Sequence, residues 1–169
     1  MQWCVGAMAD WRGAFPEPDQ APVHGRVARA WERAAAAEGR GARDPDGGLA
    51  FHWAAHSWRR CAAACELAAT PDDRLTTTGH GADVADAWEA VAHAWEAAAA
   101  AWLAVAAAQR HLDASRAAED ERARPNGTFD DSNSVGDEVS VRAAAVTAAR
   151  RVADERVREA ELCERNAAA

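Results

Sequence analysis

The row of apolar residues between positions 84 and 112 limits what this chain can fold into more than any other feature. Val84, Trp88, Val91, Trp95, Ala98, Trp102, Val105, Gln109 and Leu112 follow one another at alternating steps of four and three. Such steps gather all nine on one side of an α-helix and would scatter them over both faces of a strand. With tryptophan at heptad position a, Val84, Val91, Ala98, Val105 and Leu112 fall at d. The flanking positions Ala87, Ala94, Ala101, Ala92, Ala99 and Ala106 are all alanine. A stripe this wide, with edges this small, lets neighbouring helices approach closely on both sides while indoles fill the remaining volume. That is the shallow-angle packing of helical bundles.

Matching rows occur elsewhere. Phe51, Ala55, Trp58, Ala62, Cys65 and Ala69 mark a second helix, and Val139, Ala143, Val146, Ala149, Ala153, Val157 and Ala160 a weaker one. Val23, Val27, Trp31 and Ala34 mark a first helix. Proline is tolerated in a first helical turn, so the first helix is expected from about Pro22, stopping before Gly39 and Gly41. The stretch Gly39 to Gly48 reads as a turn. The second helix is expected from Leu49 to Ala69 and the third from Asp83 to about Arg122. The fourth is expected from Asp137 to Glu164, after a polar loop over 125–136. The predicted fold is therefore all-α: an antiparallel bundle of about four helices with a long tryptophan- and alanine-rich third helix. Residues 1–20, broken by Pro16 and Pro18, are expected to be an irregular N-terminal arm that packs Trp3 and Trp11 on the body. Residues 21–169 then form one helical domain. A third helix of some 40 residues would be near 60 Å long at about 1.5 Å per residue. Helices one and two cannot cover it, so its polar end from Ser115 is expected to project as a hairpin with helix four, or to enter an oligomer interface.

Composition supports the helical reading. Alanine fills more than a quarter of the 169 residues, and Ile, Tyr and Lys are absent. Alanine loses no side-chain entropy in a helix and has the best intrinsic propensity. An all-arginine basic set with no Ile, Lys or Tyr is what a very GC-rich, bacterial-looking genome produces. The net charge of −8 argues against a nucleic-acid partner, which calls for a basic surface. Arg150, Arg151, Arg156, Arg158 and Arg165 are interleaved with Asp154, Glu155, Glu159, Glu161 and Glu164, the pattern of a solvated helix face. Residues 1–15 lack the pattern of a signal peptide. The uncharged run from Ala97 to Ala108 is short of the roughly 20 residues a membrane span needs. The expectation is a cytoplasmic protein with no membrane partner, whose four cysteines are thiols.

Two residue pairs suit metal chemistry. His52 and His56, at i and i+4, place two imidazoles on one helical face, as zinc-binding helices do. Trp53 stands where a zinc protease carries its glutamate, which excludes that activity. A third ligand would have to come from Glu89, His93, Glu96 or His111. Cys61 and Cys65 share the same spacing and suit a soft metal. The cysteines lie near the Phe51–Trp58 row and the histidines roughly opposite, so one mononuclear site cannot use all four; Cys4 and Cys163 complete a tetrad only if both termini fold back. Zinc or copper is thus the alternative to no cofactor.

Other signals are weaker. Asp131 to Glu138 begins like a calcium loop but fails at Val135 and at Arg142, where a bidentate carboxylate is required. Asp137 and Glu138 read instead as acids in the first turn of helix four. Asn126-Gly-Thr128 is a glycosylation triplet without meaning in a cytoplasmic chain. Thr76 to Gly81 is the one loop suited to an anion at a helix start. No catalytic motif is present, so an enzyme is not expected. The leading reading is a non-enzymatic interaction or assembly module, binding a protein partner or its own copies, with Trp88, Val91, Trp95, Trp102 and Trp58 as the interaction or core stripe. The alternatives are metal binding and a small apolar ligand held among Trp53, Trp58, Trp88 and Trp95.

Overall fold

The computed structural model describes residues 21–44, 47–70, 81–122 and 132–169. They form four helices: α1 (Ala21–Gly41), α2 (Gly48–Ala69), α3 (Gly81–Arg122) and α4 (Ser132–Ala167). The described residues contain no strand. The fold is an all-α bundle in which each helix packs along the next in chain order.

Side-chain pairs fix the directions. Trp31 reaches Glu66 and Arg59 reaches Glu38, so α1 and α2 are antiparallel. Trp53 stacks on Trp102 and His56 meets Trp95, so α2 and α3 are antiparallel. Trp95 bonds Glu164 and Arg142 bonds the His111 carbonyl, so α3 and α4 are antiparallel. Consequently α1 and α3 run parallel, bridged by Arg26–Glu89 at 3.7 Å and Arg33–Glu96 at 2.9 Å. An Arg60–Glu164 ion pair likewise bridges the parallel α2 and α4.

The core follows the α3 stripe. Val91, Trp95, Ala98, Trp102, Val105 and Leu112 are buried, as are the flanking Ala92, Ala99 and Ala106. One cluster joins Val27, Ala30 and Ala34 of α1 to Trp58, Cys61 and Cys65 of α2 and to the first half of the α3 stripe, with Ala160 of α4. A second joins Phe51, Ala54 and Ala55 to Trp102, Val105, Ala106 and Ala153.

Four sequence expectations need correction. Helix α1 runs through Gly39 and ends at Gly41, where a Cβ would lie 3.1 Å from Phe51 Cβ; the close approach of α2, not Gly39, sets the stop. Trp31 is not in the α1 seam, which is Val27, Ala30, Ala34 and Ala37. It is 41% exposed, and its N–H points to Glu66, since an indole does not fit an alanine-lined crossing. Helix α4 begins at Ser132, five residues earlier than expected, so the stretch resembling a calcium loop is helical from there on. Asp137 and Glu138 therefore lie beyond the first turn, and Glu138 pairs with Arg142 one turn on, at 2.6 Å.

Helix α3 is 42 residues long, about 63 Å, against about 33 Å for the 22 residues of α2. The Arg33–Glu96 and Trp53–Trp102 pairings bring the far ends of α1 and α2 level with α3 at about residues 104–107. Beyond that level, among the described residues, only α4 accompanies α3. There Leu112 and Val146 are buried and Arg142 bonds the His111 carbonyl at 3.1 Å.

Candidate functional site

The stripe expected to mediate interaction is spent inside the chain. Val91, Trp95, Trp102 and Trp58 are buried, and Trp88 is half-buried against the same cluster. Arg33 lies over the Trp58 ring at 4.6 Å, and Arg60 lies over Trp95 at 5.4 Å. The Trp95 N–H reaches Glu164 at 3.3 Å, while the buried Trp102 N–H has no partner among the described residues. Because α1, α2 and α4 all pack around α3, these rings offer little surface to another molecule.

The histidines lie on the outer side of α2. His52 is exposed and His56 half-buried. Trp53 stands edge-on to both, at 6.0 and 5.7 Å between ring centres, and His56 meets the Trp95 edge at 6.1 Å. Burial, then the charges of Arg60 and His52, push the His56 pKa below its ordinary 6.5, against Glu161 and Glu164, which raise it. The residues expected as further ligands are engaged elsewhere. Arg26 holds Glu89 and approaches His93, and Arg33 holds Glu96. His111 is exposed on the far half of α3. Among the described residues no three His, Cys, Asp or Glu side chains converge as a metal site.

Cys61 and Cys65 are both buried on α2, at 5% and 4% exposure, against Val27 and Ala30 of α1 and Val91 and Ala92 of α3. Each thiol acts on the other's ionisation: Cys61 holds Cys65 down, to about 7, while Cys65 and burial raise Cys61. Cys163 touches the same cluster from α4. Cys4, Trp3, Trp11 and the rest of the expected arm lie outside the described residues, as do Thr76 to His80 and Asn126 to Thr128.

A groove of about 410 Å³ opens between α2, α3 and α4, lined by Trp53, Trp102, Asp154, Val157, Arg158 and Glu161. Its aromatic wall is the Trp53–Trp102 stack, 6.0 Å between ring centres with 21° between planes. Of the tryptophans expected to line a ligand pocket, it uses only Trp53.

A face that the sequence reading missed lies on α4. Val141, Ala145, Ala148 and Val152 are all exposed, the two valines at 69% and 51%. They step by four, three and four, and so form a second helical stripe, away from the covered row of Val146, Ala153 and Ala160. The signal was available in the sequence as a second row, with Val141, Ala145 and Ala148 each two residues after Val139, Ala143 and Val146, and Val152 one turn further on.

Helix α3 is, among the described residues, the one helix long and apolar enough to cross a membrane by length and composition, with mean hydropathy 1.3 in its most apolar window. Its large apolar side chains face α1, α2 and α4. Comparison with protein-family models, with curated proteins and with solved structures finds no match to this chain.

Proposed function

We propose that this chain is a non-enzymatic assembly module that pairs with a second copy of itself through the exposed stripe of α4. The observation that carries this reading is that Val141, Ala145, Ala148 and Val152 are left uncovered while the row of Val146, Ala153 and Ala160 is buried. Most exposed valines are isolated and need no explanation. Two of them framing two alanines in heptad register form a seam.

The order Val-Ala-Ala-Val, with steps of four, three and four, reads the same from either end. A two-fold axis between Ala145 and Ala148 lays two antiparallel α4 helices together, Val141 against Val152 of the second copy and Ala145 against its Ala148. Such self-complementarity is what a closed two-fold interface requires. Alanine at the centre allows the axes to approach to about 8 Å, the short end of helix packing. Glu155 and Glu159 end the seam after three turns, with Leu162 standing alone beyond them. A seam this short fits a weak, concentration-dependent dimer at the small end of specific interfaces.

Sedimentation velocity over a range of concentrations tests this. The expected result is a monomer–dimer equilibrium weakened at least tenfold, about 1.4 kcal/mol, by Val141→Glu or Val152→Glu. Both positions are exposed, so both variants should keep the helical circular dichroism of the parent. A monomer up to the highest soluble concentration, or a dimer indifferent to both substitutions, refutes the proposal.

A further inference from the structure

We propose that Cys61 and Cys65 form a two-coordinate site for a monovalent soft metal ion, Cu(I), buried between α1, α2 and α3. The first observation is a departure from the rule of this core. Where α2 packs on α1 and α3 its small buried residues are alanine, at Ala54, Ala55, Ala62 and Ala64. The departures are Ser57, whose hydroxyl bonds the Trp53 carbonyl of its own helix at 3.0 Å, and the two cysteines. The cysteines stand one turn apart, so their side chains lie side by side, and both are buried in one cluster. Two sulfurs at this spacing on one helical face can hold one ion between them.

The surroundings select the ion. No third His, Cys, Asp or Glu converges with the pair among the described residues, so four-coordinate zinc lacks its ligands. Thiolates are soft ligands that favour Cu(I), and a closed-shell monovalent ion accepts linear coordination by two sulfurs. Apolar residues close the site on both sides, Val27 and Ala30 from α1 and Val91 and Ala92 from α3, which keeps out water and oxidants. Binding breaks two S–H bonds, forms two Cu–S bonds and releases two protons to solvent, with no change of oxidation state. The product carries one negative charge. Arg26 of α1 is the cation whose charge favours the ionised form of both thiols, against Glu89 and Glu96.

The test is an anaerobic titration of the reduced full chain with Cu(I) against a chromophoric chelator, with native mass spectrometry of the product. The chain should take up one copper and show the mass of one copper less two protons. A Cys4→Ala/Cys163→Ala variant, which keeps only the α2 pair, should do the same. Cys61→Ala and Cys65→Ala should each lose the competition with the chelator. Failure of the full chain to bind overturns the proposal whatever the variants do. So does uptake that survives loss of either α2 cysteine, uptake that disappears with Cys4 and Cys163, or displacement of the copper by equimolar Zn(II).

Discussion

Two tryptophans one heptad apart on the same stripe stand in opposite circumstances. Trp95 and Trp102 are both buried, yet the indole N–H of Trp95 reaches Glu164 and that of Trp102 meets no acceptor among the described residues. Burying a donor without an acceptor costs about 1–3 kcal/mol. Replacement by phenylalanine removes similar ring volume at both positions. At 95 it also removes a hydrogen bond to a carboxylate, whereas at 102 it removes an unmet donor. Trp95→Phe should therefore be less stable than Trp102→Phe by about 1–3 kcal/mol, read from urea unfolding. Equal losses at the two positions would contradict the pairing described for them. The seven-residue repeat announces both indoles as core. Which of them finds a polar partner depends on Glu164, 69 residues away on α4, and no local pattern carries that.

Among the elements, α1 shows how far sequence reading reaches. Its existence and core side follow from Val27 and Ala34, but its end does not follow from Gly39. A Cβ at Gly39 would meet only the tip of the Arg43 side chain, at 3.9 Å, and the helix continues past it. Glycine inside a helix is less favourable than alanine by about 0.5–1 kcal/mol. Gly39→Ala should stabilise the chain by that amount, a rise in melting temperature seen by circular dichroism; a fall would mean that the helix end depends on that glycine. The start of α4 differs for a related reason: Ser132 to Val135 resembles a loop in composition, yet it is helical. The order of packing was legible from short connections. The arginine bridges from α1 to α3 were not, because Arg26 and Arg33 act on Glu89 and Glu96 across 63 positions. The same bridges account for the glutamates that had looked like metal ligands. The paired cysteines were legible as a spacing within the core row of α2, but their enclosure by Val27 and Ala30 of α1 and Val91 and Ala92 of α3 needed the tertiary packing.

At the scale of the whole molecule, burial is uneven along the bundle. Among the described residues, α1, α2 and α4 pack around the α3 indoles up to about residue 107, and only α3 and α4 continue beyond. Large apolar residues thin out in the same direction, leaving Leu112 and Val146 as the buried ones. Local opening is easiest where few apolar contacts must be given up. Amide hydrogen exchange should therefore be fastest in α3 beyond Leu112 and in the facing first turns of α4, and slowest around Val91 to Ala106. Uniform protection along α3 would show that the two-helix extension is held by more than the contacts described.

The unequal lengths of the helices also decide where the assembly seam sits. From Val141 to Ala148 the stripe of α4 lies beside the part of α3 that α1 and α2 leave uncovered among the described residues, and Val152, next to Ala153, reaches the level of Phe51 and Ala54 on α2. Two chains gripping one another there, head to foot, would keep their thick ends on opposite sides. The particle would be a dumbbell, and what each thick end carries would be displayed twice, facing away from its twin.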